Sequence, residues 1–260
     1  MTSTADDASP APFRYYPAID IRRGRVVRLL MGDASAETVY GVDPVAVAID
    51  LVARGASRVH VVDLDAALGD GDARGALRAI VQAVGRSIEI QVGGGLRDAA
   101  AIARVLDDGA DRAILGTAAL KDPGLVRAAI ERHGRDRIAV ALDIRGSVAV
   151  GDGWVTTAIG RPLEDAVAAL DGTGIRRFVV TSIVRDGTLE GPDLDLLARV
   201  LAAGAREVVA SAGIRSITDL TAVAEVGCVG AIVGRATYDG RLDPGIAEAW
   251  ASARPIAPTP

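Results

Sequence analysis

Apolar residues in this chain come in short unbroken runs rather than alternating with polar ones, and each run is followed by a stretch with helical spacing. The runs are YYPAIDI (15–21), RVHVVDL (58–64), IEIQV (88–92), DRAIL (111–115), RIAVALDI (137–144), RFVVTS (177–182), EVVAS (207–211) and VGAIV (229–233). Continuous apolar runs are what parallel strands buried on both faces require. Helical spacing follows over 44–54, 73–84, 98–108, 123–133, 162–171, 193–203, 216–226 and 243–253. Asp43-Pro44, Asp122-Pro123 and Asp243-Pro244 suit helix starts, because the carboxylate caps free amides and Pro fits the first turn. Gly55, Gly109, Gly134 and Gly227 stand where helices end. Eight such units predict a (β/α)8 barrel; a doubly wound open sheet is the alternative built from the same parts.

The chain also repeats itself. Residues 94–118 align without gaps on 212–236, at an offset of 118, pairing Gly95 with Gly213, Arg97 with Arg215, Gly109 with Gly227 and Gly116 with Gly234. The same offset lays 61–69 on 179–187, and 18–27 resembles 141–150 at a slightly different one. Two duplicated (β/α)4 halves explain this pattern, and the plainer reading is Gly-rich punctuation common to all such units. The barrel domain is expected over 14–252, with Pro- and Ala-rich flexible ends at 1–13 and 253–260.

Composition narrows the field. Of 260 residues 50% are apolar and 3% aromatic, which suits a packed α/β protein. One cysteine, Cys228, excludes an internal disulfide and a multi-cysteine zinc site, and two histidines make a His-rich metal site a poor expectation. A net charge of −5 argues against nucleic acid as a partner. No apolar run is long enough for a membrane span, and the N-terminal residues lack the pattern of a secretory signal, so a cytoplasmic location is expected. A monomer is expected.

In such a barrel the site lies at the C-terminal ends of the strands. Asp20 ends the first strand, Asp143 the fifth, and Thr181 the sixth, with Asp186 on its loop. Asp20 and Asp143 hold equivalent places in the two halves and should face each other across the mouth. A carboxylate on an apolar rim can act as general acid or base; capping a turn or pairing with an arginine is the simpler use. Gly-rich turns follow strands three and four (Gly94, Gly95, Gly116, Thr117) and strands seven and eight (Ala212, Gly213, Gly234, Arg235). Backbone amides of such turns cradle dianions, so two opposed copies point to a ligand with a phosphate at each end. Arg28 could reach a phosphate or carboxamide, and Trp154 on its Gly-rich loop could stack on a heterocycle. His60 is read as a strand residue, Asp63 as support, Cys228 as buried at a helix end, and Lys121, which begins a helix, as unsuited to Schiff-base chemistry. The Asp63–Asp65 pair lacks further metal ligands, and no dinucleotide fingerprint follows the first strand.

PAIDIRRGRVVRL, ETVYGVDPVAVA, VVDLDAA, QVGGGLRD, LGTAALKDP, ALDIRG, RDGTLEGPD and AIVGRATYDG resemble, in order and spacing from about residue 14 to 250, the histidine-biosynthesis isomerase that acts on phosphoribosylformimino-aminoimidazole carboxamide ribotide. The resemblance implies a half-barrel duplication, a substrate with two phosphates, and an Amadori rearrangement of aminoaldose to aminoketose without cofactor or metal. By it, Asp20 is the base at C2, Asp143 the opposing carboxylate that donates a proton or orients the amine, and Asp186 with Thr181 the group that assists ring opening. Gly187 falls within the matching RDGTLEGPD motif. Actinobacterial relatives that also isomerise phosphoribosylanthranilate carry Arg before the Gly-Trp pair, where this chain has Asp152, and Ser-Gly-Gly where it has QVGGG. Both departures favour a single activity, with dual specificity as the alternative. Ser182 stands in place of an acidic residue and Ala212 in place of a Gly, changes that bear on the acid network and on a phosphate site. A related cyclase barrel and a silent phosphosugar-binding barrel are the remaining readings.

Overall fold

The computed structural model describes residues 12–151 and 160–256. Its strands are β1 (Arg14–Arg22), β2 (Arg25–Leu30), β3 (Asp33–Gly41), β4 (Arg58–Asp63), β5 (Glu89–Gly93), β6 (Arg112–Leu115), β7 (Ile138–Arg145), β8 (Val148–Val150), β9 (Arg161–Pro162), β10 (Arg177–Ser182), β11 (Glu207–Ser211) and β12 (Gly230–Val233). Eight of them pair in parallel in the order β1, β4, β5, β6, β7, β10, β11, β12, and β12 returns to β1. That closure makes a (β/α)8 barrel and removes the open sheet. All eight expected strands are present, because β6, β10 and β12 are buried along their whole length, as their unbroken apolar runs require.

The helices are α1 (Pro44–Ala53), α2 (Leu64–Leu68), α3 (Arg74–Val84), α4 (Ala99–Asp107), α5 (Thr117–Lys121), α6 (Pro123–His133), α7 (Leu163–Leu170), α8 (Leu194–Ala202), α9 (Ile217–Val226), α10 (Arg235–Tyr238) and α11 (Pro244–Ser252). Asp43, Asp122 and Asp243 cap α1, α6 and α11 as expected, each side chain accepting a backbone N–H. The main apolar core lies between strands and helices, and a second small cluster (Tyr16, Ala18, Ile114, Ala139, Val179, Val209, Val229, Ile232) fills part of the barrel interior.

The structure departs from the sequence expectation in three places. Strand β1 runs past Asp20 to Arg22 and turns back as β2 and β3, an antiparallel hairpin that pairs Asp20 with Val27. Lys121 closes α5 instead of opening a helix; Asp122 begins the next one. Cys228 lies just past α9, fully buried, rather than within the helix end. At the edges of the expected barrel domain, Phe13 and Arg254 are joined. Phe13 is buried, its amide donates to the Arg254 carbonyl at 2.9 Å, and its ring meets Trp250 edge-on at 5.3 Å.

Candidate active site

A cavity of about 740 Å³ opens at the C-terminal ends of the barrel strands. Asp20, Arg28, Gly94, Gly95, Gly116, Thr117, Asp143, Thr181, Asp186, Gly187, Ala212, Gly213, Gly234 and Arg235 all line it. Trp154 and Asp152 lie outside the described residues. Strands β1 and β7 are four places apart in the ring of eight, so Asp20 and Asp143 rise from opposite walls. Thr181 pairs in register with Asp143 across the β7–β10 ladder.

Arg28 is the residue whose role changes most. It sits on β2, and the hairpin folds it back into the cavity, where Nη1 donates to Asp20 at 2.5 Å and Nη2 to Asp186 at 3.4 Å. All three side chains are at most 14% exposed. Burial raises the Asp20 carboxyl above the ordinary range even though Arg28 opposes the shift. Burial likewise pushes Asp186 up to about 6; Arg28 opposes this, while Asp20 and Asp143 add to it. Arg28 therefore joins two buried carboxylates, Asp20 and Asp186, both raised by burial, with Asp143 in the same lining, an arrangement that suits proton transfer.

The two Gly-rich cradles follow β5–β6 and β11–β12, on opposite sides of the ring. Backbone torsions match across the offset of 118. Gly94 has φ +97° and Ala212 +84°; Gly95 has +67° and Gly213 +78°. A Cβ on Gly94 would lie 2.2 Å from the Asp63 carbonyl oxygen, and one on Gly213 2.2 Å from that of Gly191, so both glycines are demanded by close backbone approach. The long helices α4 and α9 spend their N-termini internally, capped by Asp98 and Ser216. The short α5 and α10 instead follow Gly116 and Gly234, N-cap residues with no side chain to cap the helix, and both glycines line the cavity, where a helix start favours an anion. Lys121, Arg97 and Arg235 stand beside these cradles in the lining.

Other residues fall away from the cavity. Asp63 caps α2, accepting from the amides of Ala66 and Ala73. Ser182 is turned away and donates to Asp193, the cap of α8, so its departure from the family pattern does not reach the lining. Ala212 does reach it. Sequence reasoning missed His60, Ser211 and Arg97 as lining residues. Position on a strand gave a signal for His60: Ala18 pairs with it across β1–β4, two residues below Asp20 on the same inward face.

Residues 14–243 match the family described as histidine biosynthesis protein. A 1-(5-phosphoribosyl)-5-(5-phosphoribosylaminomethylideneamino)imidazole-4-carboxamide isomerase of Frankia casuarinae is 48% identical over 225 residues, 86% of this chain and 87% of that protein. Phosphoribosyl isomerase A of Streptomyces griseus is 46% identical over 225 residues, 85% of this chain and 91% of that protein. A protein of Thermus thermophilus bearing the same name as the Frankia one is 44% identical over 229 residues, 88% of this chain and 96% of its own length.

Proposed function

The chain belongs to the histidine biosynthesis protein family, and from that premise we infer that it isomerises the phosphoribosylformimino-aminoimidazole carboxamide ribotide aminoaldose to its phosphoribulosyl aminoketose. The observation that carries this reading is the pair of amide-rich cradles on opposite sides of one cavity, with carboxylates between them. Such spacing suits a ligand with a phosphate at each end and a reacting sugar in the middle. A second activity on phosphoribosylanthranilate, the alternative raised by the resemblance, is not favoured by the names of the relatives.

In the proposed mechanism Asp186, assisted by Thr181, gives its proton to the furanose oxygen as the C1–O bond breaks. The nitrogen lone pair forms the C=N bond of the open-chain iminium. Asp20 then takes the proton from C2, and the released electron pair makes C1=C2 while nitrogen recovers its lone pair. The resulting enaminol gains a proton at C1 and loses one from its hydroxyl, giving the ketone; atoms and charge balance with no external reactant. Asp143 supplies the opposing carboxylate that orients the amine or returns a proton. Arg28 fits two roles, since it neutralises the carboxylates of the cavity and lies close to the Gly234 cradle.

Turnover of the aminoaldose ribotide by purified protein tests this, with Asp20→Asn and phosphoribosylanthranilate in parallel. Ketose formation that drops by about 10²–10⁴-fold in Asp20→Asn, the range for loss of a general base, is expected. No turnover by the wild type would refute the reading, and comparable turnover of the anthranilate substrate would replace it with dual specificity.

A further inference from the structure

One polar row runs through the barrel interior below the carboxylates. His60, Gln91 and Arg112 are successive register partners on β4, β5 and β6. All three are buried, Gln91 completely. Much of the surrounding interior is apolar, formed by Ala18, Ile114, Ala139, Val179 and Val209. A polar row in such a place is costly unless every group is partnered.

The partners are ordered. Arg112 can only donate: Nη1 binds Glu89 Oε1 and Gln91 Oε1 (3.4 Å), and Nε binds the Asp136 carbonyl (2.9 Å). Glu89 also accepts from the Tyr16 hydroxyl. With its carbonyl oxygen held by a cation, the Gln91 amide must turn its NH₂ toward His60, whose Nδ1 lies 3.2 Å away. The opposite orientation would set two donors against each other. Nδ1 therefore accepts. The ring is uncharged at neutral pH, because burial, with Arg28 nearby, drives it down to about 3. Its one proton then sits on Nε2, on a ring that lines the cavity.

We propose that Glu89, Arg112 and Gln91 are positioning residues that fix the Nε2–H tautomer of His60, so that the ring donates a hydrogen bond to an oxygen of the sugar held between the two phosphate cradles. A neutral imidazole is suited to such donation, because it keeps its proton through the cycle and leaves proton transfer to the carboxylates. The assignment of the acceptor rests on the isomerase reading; the assignment of the tautomer does not.

Ring-nitrogen NMR on ¹⁵N-histidine-labelled, substrate-free protein tests the first part directly, since His60 and His133 are the two histidines of the chain. The His60 spectrum is expected to show a protonated Nε2 and a bare Nδ1. In Gln91→Glu a carboxylate, held ionised by Arg112, faces Nδ1 and should draw the proton there. Gln91→Leu, which offers Nδ1 no donor, should give mixed tautomers and guards against misfolding of the first variant. Turnover in both variants is expected to fall about tenfold in kcat, the cost of one lost hydrogen bond in the transition state, with KM little changed. His60→Gln, which keeps an N–H donor, should retain more activity than His60→Leu. A wild-type proton on Nδ1, an unmoved tautomer in Gln91→Glu, or a moved tautomer with unchanged kcat would each overturn the proposal. A wild type that turns over no ribotide would instead overturn the isomerase reading and leave the tautomer result standing.

Discussion

At Ala212 a residue with a Cβ holds φ at +84°, whereas its counterpart Gly94 holds +97° at no steric cost. The left-handed conformation costs an L-residue about 1–2 kcal/mol, and glycine would return about 0.5–1 kcal/mol of that through its greater unfolded-state freedom. Ala212→Gly is therefore expected to raise stability by up to about 1 kcal/mol, read as a higher urea midpoint at unchanged slope. Asp186 makes a prediction of another kind. In its proposed role as proton donor to the ring oxygen it must be protonated, so kcat/KM should fall as pH rises through about 6, where burial has placed its ionisation. Arg28 is the cation that opposes this upward shift. Arg28→Met should move the alkaline limb to higher pH, and Asp186→Asn should remove it. A limb that stays in place in both variants would assign it elsewhere. Because Asp20 and Asp186 share Arg28, the limb belongs to the coupled set rather than to one carboxyl.

The junction between β12 and α10 shows how elements constrain one another. A Cβ on Gly234 would fall 2.3 Å from Cζ of Arg28, so the β2–β3 hairpin delivers its guanidinium into space that only glycine leaves open. Gly234→Ala should displace Arg28 from both carboxylates, lowering kcat/KM by about tenfold or more, with a small change in thermal midpoint. A large loss of stability with normal kcat/KM would contradict this account. The same hairpin marks where sequence patterning stopped. Eight apolar runs and eight helical stretches were legible because burial on both faces, or on one stripe, leaves a periodic trace. Strand β3 left little trace, since it is mostly exposed and carries no apolar stripe, although β2 is largely apolar (RVVRLL). Helices α5 and α10, of five and four residues, are too short for a period to register. Asp20 and Asp143 could be found by position near strand ends, and both line the cavity, whereas Asp63, which ends β4, does not. For His60 position marks only the inward face; its significance comes from Gln91 and Arg112, which reach it only through register across three strands.

Across the molecule, polarity is divided by depth. The cavity end collects carboxylates, while the opposite end of the barrel holds Arg14, Arg112 and Arg177 interleaved with Glu89 and Glu207. Burial alone would raise the Glu89 carboxyl; Arg112, with help from Arg58 and Arg177, overrides it and holds the group below its ordinary value of 4.5. A lowered folded-state value means stability that is present above pH 4.5 and lost as pH falls through the folded value. Glu89→Gln should therefore be less stable at pH 7 by about 2 kcal/mol, as expected for one partner removed from a part-buried cluster. The gap to wild type should close in acid, and urea midpoints at pH 7 and pH 3 would reveal a gap that fails to do so. Finally, Cys228 lies sealed between α9 and β12, its thiol pushed up to about 12 by burial. As the one cysteine in the chain, it is a single chemical clock: a thiol-trapping reagent can mark the folded protein only when this seam opens, so the labelling rate times the breathing of the barrel without any introduced probe.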